Sequence, residues 1–329
     1  MTGEFELIRK LLGDWRAADD VEIGSGDDAS GFRLPSDPDI LYIQTTDLLV
    51  ENVHFRQSWG TPRQLGWKSL AVNLSDIAAM GGTPCHLHLS LAVPPSWTEP
   101  ELIEFMSGVK TLGQKYGVSL LGGDLSKSNS DLMISATVGG TVRRDQVIRR
   151  SGAQPGDAIW VSGTLGDAAV GLKMLEISFI NDPNSLVLQN FLTPQPEVEL
   201  GLLCAQSGLV HAMIDVSDGL AGDLAHILDT SSTGAVINAG ALPIPEKLQA
   251  IAEHHGCDML ELALTGGEDY RLLGCTPTDR LDEFFDRVKS ELNRELHCIG
   301  SITAEAGLRL VHPDGRIEEI SPTSWDHFG

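Results

Sequence analysis

Basic residues are scarce. Lysine and arginine total 23 against 46 aspartates and glutamates, and the formal charge is −23. A nucleic-acid surface needs a basic footprint, so DNA and RNA are not expected partners. The acids are also dispersed, without a run of five or six, which excludes a disordered acidic tail. Cysteine is sparse and unpatterned: Cys85, Cys204, Cys257, Cys275 and Cys298 form no CxxC pair. An odd count without such a pair argues against a disulfide framework or a structural zinc site, and for reduced thiols in the cytoplasm. Long uncharged apolar runs are absent, so no membrane partner is expected. The N-terminal stretch MTGEFELIRKLLGDW carries acids early and lacks an apolar core, so it does not read as a signal peptide. Several phosphate and metal motifs are missing too. There is no GxxxxGK[ST] loop, no HxD kinase loop and no HExxH helix.

What is present is enough for two cores. The chain has 329 residues, 42% of them hydrophobic, with few aromatics and 35 glycines. A length of this order favours two domains. The turn chemistry of Ser151-Gly152-Ala153-Gln154-Pro155-Gly156-Asp157 places the boundary near 150, giving domains 1–149 and 150–329. Helices are expected over 4–16, 61–80, 98–116, 166–178, 197–207, 219–229, 245–255 and 278–291. Strands are expected over 40–46, 86–93, 131–142, 158–161, 212–216 and 270–275. A polar connection lies at 181–184. Thr61 with Pro62, and Thr98, supply helix starts. Strands mixed with helices throughout give an α/β (α+β) class.

The chemistry is carried by aspartates at strand ends or in glycine turns. They are Asp27 and Asp28 after Gly26, Asp47 after Thr45-Thr46, Asp76 after Ser75, and Asp124 after Gly122-Gly123. Further along come Asp215 and Asp218 in Asp215-Val216-Ser217-Asp218-Gly219, and Glu268-Asp269 after Gly266-Gly267. Singly, each reads more readily as a turn former or cap. Together they are harder to dismiss. Asp76 sits between Leu74 and Ile77 in an apolar helix, and Asp215 ends an apolar strand. An unpaired carboxylate in such places costs about 2–5 kcal/mol unless a cation or donors satisfy it. Many hard oxygens without histidine or cysteine favour Mg2+. Magnesium in an acidic protein in turn favours ATP, whose phosphates the scarce bases could not neutralise. Gly24-Ser25-Gly26-Asp27-Asp28-Ala29 matches GxGxxG/A formally, but its carboxylates stand where a pyrophosphate would need bare amides. Arg150 is a candidate phosphate contact, equally readable as a surface arginine beside Arg149. His54, read alone, is structural, as are His86 and His88 on one strand face. Trp325 and Phe328 imply a C-terminal tail that docks on the core or over a ligand ring.

In this order, the motifs resemble the thiamine-monophosphate kinase family, in the superfamily that includes aminoimidazole ribonucleotide synthetase. The carrying segments include Gly26-Asp27-Asp28-Ala29, Thr45-Thr46-Asp47, Val53-His54-Phe55, Ala71 to Gly81, Gly122-Gly123-Asp124, Arg150-Ser151-Gly152-Ala153, Asp215 to Leu220 and Gly266 to Tyr270. The resemblance spans essentially the whole chain. It implies a two-domain fold of the superfamily: an N-terminal sheet flanked by helices that forms a barrel in a homodimer, and a C-terminal α/β domain closing the site. It implies transfer of the ATP γ-phosphoryl group to thiamine monophosphate. By it, Asp28, Thr45, Thr46, Asp47, Asp76, Asp124, Asp215 and Asp218 match magnesium positions. Gly123, Asp124, Arg150 and Ser217 match nucleotide positions, and His54, Glu268 and Trp325 match positions facing the thiamine moiety. No general base is implied. Leu125 departs from the family's usual Thr, Ser25 from its usual Ile, and the segment 191–196 lacks its frequent arginines. Rival readings are another ATP-dependent enzyme of the superfamily and a non-catalytic nucleotide-binding regulator.

Overall fold

The computed structural model describes residues 20–24, 26–34, 36–177 and 186–321. The expected helix over 4–16, the connection at 181–184, Ser25, Trp325 and Phe328 lie outside the described residues.

The first sheet contains β1 (Val21–Ile23), β2 (Ser30–Leu34), β3 (Asp37–Val50), β4 (Thr83–Val93), β5 (Ser119–Lys127) and β6 (Met133–Arg143). Its spatial order is β1-β2-β3-β6-β4-β5. Only β4 and β5 run parallel; the other pairs are antiparallel. Period-2 alternation on β3 buries Leu41, Ile43, Thr45 and Leu49, while Gln44, Thr46 and Leu48 are exposed. Two helices pack on the inward face, α1 (Pro62–Ala79) and α2 (Glu99–Tyr116), and α2 makes the crossover that the parallel β4–β5 pair requires. Helix α1 starts on a capping box. The Thr61 hydroxyl accepts from the Gln64 N–H, and the Gln64 side chain accepts from the Thr61 N–H. It buries Leu70, Leu74 and Ile77 under the sheet, each contributing roughly 1.5–3 kcal/mol.

The second sheet contains β7 (Asp157–Val161), β8 (Ala212–Asp215), β9 (Gly234–Asn238), β10 (Leu272–Pro277), β11 (His297–Thr303), β12 (Gly307–Val311) and β13 (Ile317–Glu319). The order is β13-β12-β9-β11-β7-β10-β8. Its helices are α3 (Asp167–Glu176), α4 (Leu186–Leu192), α5 (Val198–Ser207), α6 (Leu220–Ser231), α7 (Glu246–His254), α8 (Met259–Thr265) and α9 (Leu281–Leu292). One apolar core runs from the first sheet through α1 to Leu200, Leu203, Met213 and Phe284 of the second half. The helix carrying Asp76 is therefore wedged between the two sheets.

Three local expectations need correction. Gly122-Gly123-Asp124 is not a turn but the middle of β5. The strand expected over 270–275 starts at Leu272, because Tyr270 has φ 49° and belongs to the preceding turn. The helix expected over 278–291 is a 3₁₀ turn, Thr278–Arg280, followed by α9.

Candidate active site

Each carboxylate reaches the centre by its own route. Asp76 occupies α1, and the Thr45 hydroxyl on β3 donates to its Oδ2 at 2.6 Å. Asp215 closes β8 and is 2% exposed. Asp28 follows the turn before β2, with a fully buried side chain. One oxygen from each of Asp28, Asp76 and Asp215 lies within 4.8 Å of the others. Asp47, two residues beyond Thr45 on the same inward-facing row of β3, extends the group toward Asp218.

The electrostatics record this crowding. Burial, then Asp218, pushes Asp47 up to about 6. Burial, then Asp47, Asp215 and Asp28, pushes Asp76 well above the carboxylate range. Burial and Asp28 raise Asp215 likewise. Among the described residues its buried Oδ2 has no hydrogen-bond partner. Like charges assembled out of water, with an orphaned hard oxygen among them, fit a divalent oxygen-ligated cation such as magnesium.

A base enters this ground. Arg150 forks onto Asp28, with Nε and Nη2 donating at 3.2 and 3.0 Å, and its backbone N–H donates to Asp27 at 2.7 Å. Burial works against the guanidinium charge, but Asp28, Asp215 and Asp76 outweigh it and hold Arg150 protonated.

Two loops of the second half are stitched together. The Glu268 N–H donates to the Ser217 carbonyl at 2.7 Å, and the Tyr270 N–H to the Val216 carbonyl at 2.8 Å. Asp218 and Glu268 are thereby held side by side. Burial, then the charges of Glu268, Asp47, Asp215 and Asp218, raises the buried Tyr270 phenol well above its ordinary value. Glu268 has φ 71°, a left-handed value uncommon for a non-glycine residue.

The other sequence candidates fall in separate places. Thr46 lies on the opposite face of β3, its hydroxyl donating to the Ala136 carbonyl. Gly123 and Asp124 lie on the exposed edge strand β5, outside the buried trio. A Cβ at Gly123 would fall 1.7 Å from the Leu89 carbonyl oxygen, so only glycine lets β5 lie against β4 there. The Val50 N–H donates to His54 Nδ1 at 3.0 Å, which fixes that ring beside Phe55. Phe55 opens a shallow recess of about 30 Å³ walled by Trp59, Trp97, Phe191 and Leu192, with Lys68 in its lining.

Sequence reasoning passed over two residues. Asp223, 2% exposed, accepts the N–H groups of Asp218 and Gly219 through Oδ2 at 3.1 and 3.0 Å, fixing the Asp218 loop at the start of α6. Its signal was an acid in the first turn after Asp218-Gly219. Lys68 lies 2% exposed in α1 and is paired with Glu268. Its signal was a lysine on the apolar face leading to Asp76.

This fold and this acidic centre define a class. The N-terminal domain of AIR synthase related protein matches residues 26–142, and the C-terminal domain of AIR synthase related protein matches residues 154–313. The thiamine-monophosphate kinase of Haemophilus influenzae is 37% identical over 333 residues, spanning 99% of this chain and 98% of its own. That of Bacillus subtilis is 37% identical over 276 residues, 82% of each chain. The chain belongs to the thiamine-monophosphate kinase family, a family of ATP-dependent kinases. The solved structure of AaThiL complexed with AMPPCP and TMP superposes with TM-score 0.84 at 32% identity, covering 99% of this chain and 97% of that one. The thiamine-monophosphate kinase of Stenotrophomonas maltophilia gives TM-score 0.77 at 35% identity, covering 95% of both.

Proposed function

We infer that the chain transfers the γ-phosphoryl group of ATP to thiamine monophosphate, giving thiamine diphosphate and ADP, with magnesium held at the seam of the two sheets. The observation that carries this is the convergence of Asp28, Asp76 and Asp215 in a chain of this family. These three, flanked by Asp47 and Asp218, would hold the cations, with Thr45 orienting Asp76. When bound, magnesium neutralises phosphate oxygens and so offsets the repulsion between two anions.

The remaining work falls to the chain's own groups. Arg150 is positioned to exchange Asp28 for a phosphate oxygen. Gly123, Asp124 and Ser217 serve the nucleotide side, whereas the Thr46 side chain, on the opposite face of β3, gives no support to the expected metal role. His54, Glu268 and Trp325 serve the thiamine moiety. No base is required, because a phosphate monoester has a second pKa of about 6 and is already largely a dianion at neutral pH. Positioning and charge stabilisation supply the rate, as in other phosphoryl transfers.

Residues 1–149 form the domain that binds nucleotide and dimerises, and residues 150–329 the domain that closes the site. Edge strand β5 exposes Leu120, Leu121 and Leu125, and Leu48 and Met133 are exposed on its sheet. An unprotected apolar edge of this kind calls for a partner, and a second copy of the chain fits the role. The working compartment is the cytoplasm. Among the described residues no helix is long and apolar enough to cross a membrane.

The test is ADP release measured with thiamine monophosphate, thiamine and aminoimidazole precursors offered separately. Turnover with thiamine monophosphate alone, forming thiamine diphosphate, is the expected result. Turnover confined to another acceptor, or none, would refute the assignment.

A further inference from the structure

A fully buried lysine is uncommon and needs a partner. Lys68 sits on α1, two turns before Asp76, with its side chain 3% exposed. Its ammonium makes two contacts. It donates to Glu268 Oε2, and it stands 3.6 Å from the ring centroid of Phe191. The pair crosses the seam between the two halves, since Glu268 lies 200 residues further along. Burial lowers the pKa of Lys68 while Glu268 raises it.

Three features distinguish this pair from a mere packing bridge. The Glu268 side chain retains 21% exposure, so the carboxylate lies at a surface rather than within the core. Its backbone is in the left-handed region, anchored to Ser217 in the loop that carries Asp218. The ammonium also lines the aromatic recess beginning at Phe55, the neighbour of His54. Lys68 is thus a polar element in a largely apolar wall, and it fixes where the carboxylate stands relative to that wall.

We propose that Lys68 is a positioning residue for the acceptor: it commits Glu268 Oε2 to the protein and leaves Oε1 to accept an N–H from the ring-bearing part of thiamine monophosphate at the mouth of the aromatic recess. The aminopyrimidine of that acceptor carries an exocyclic amine that can donate. The proposal rests on the assignment of Glu268 to the acceptor side given above. Lys68 is paired with Glu268 and the Phe191 ring rather than with the carboxylate trio, so its removal should act on acceptor binding and leave the nucleotide side intact.

The experiment is steady-state kinetics on the full chain for wild type, Lys68→Met, Lys68→Arg, Glu268→Gln and the Lys68→Met/Glu268→Gln double variant. Thiamine monophosphate is varied at saturating magnesium-ATP, and ATP at saturating acceptor. Lys68→Met is expected to raise the KM for thiamine monophosphate by about tenfold or more, with the KM for ATP changed by less than about twofold. Lys68→Arg should recover most of the loss, and Lys68→Met should add nothing in the Glu268→Gln background. Equal changes in both KM values, or independent effects in the double variant, would overturn the proposal. Should Lys68→Met lose its cooperative melting transition, Phe191→Leu is read instead. It keeps the ammonium but removes the ring beneath it, so the same KM split supports the proposal and unchanged kinetics overturn it. A Glu268→Gln variant with wild-type KM overturns the positioning role while leaving the kinase reading intact. Absence of thiamine monophosphate turnover by the wild type overturns both.

Discussion

At the scale of single residues, the account turns on carboxylates that are costly without a cation. Asp47 makes this measurable. Folded, it keeps its proton to about pH 6, against an ordinary value of 3.8. Between those values the folded state binds more protons than the unfolded one, so stability falls as pH rises. In chelator, the wild-type melting temperature should decline from about pH 4 to about pH 6, and Asp47→Asn should flatten that slope. The same variant at saturating magnesium should lose turnover by about a hundredfold or more. An unchanged slope together with unchanged turnover would remove Asp47 from the site. Asp76 and Asp215 were visible in the sequence because each interrupts an apolar segment. Lys68 and Asp223 were not, because a lysine or an acid in a helix reads first as a solvated group. Only the tertiary packing shows that Lys68 is buried against a loop 200 residues along the chain and that Asp223 folds back, buried, onto the N–H groups of Asp218 and Gly219.

At the scale of elements, helix α1 does most to position the site, and it is held by close helix contact. A Cβ at Gly66 of α1 would lie 1.9 Å from the Phe105 carbonyl oxygen, and one at Gly108 of α2 would lie 1.9 Å from that of Arg63. The backbones meet without side chains between them, so Gly108→Ala must push the helices apart. It should cost about 1–3 kcal/mol in urea unfolding, outweighing the better helix propensity of alanine. A neutral or stabilising result would show that the pair yields without strain. Both helices were legible because Thr61-Pro62 and Thr98 announce their starts and the apolar spacing continues behind them. Strands β9 and β11 to β13 and helices α4 and α8 were not. They are short, and their pairing partners lie far away in sequence, as β9 shows by joining β11 and β12. The Gly122-Gly123 pair reads as a turn until the Leu89 carbonyl beside it shows that the glycine permits close strand approach.

At the scale of the whole molecule, both halves contribute to the acidic centre: Asp28 and Asp76 come from the first, and Asp215 from the second. The apolar edge of β5 is the surface proposed above for a second copy of the chain. Leu125 is 69% exposed there, so Leu125→Glu should convert a sedimenting dimer into a single-chain species. A wild type that sediments as one chain at micromolar concentration would contradict the proposed homodimer. The central claim is that carboxylates distant in sequence converge to grip hard divalent cations beside two phosphates. Anomalous scattering from a manganese-soaked crystal with a non-hydrolysable ATP analogue and thiamine monophosphate tests it most directly. Peaks bounded by Asp28, Asp76 and Asp215 are predicted. A complex with both ligands bound and no peak among those oxygens would contradict it.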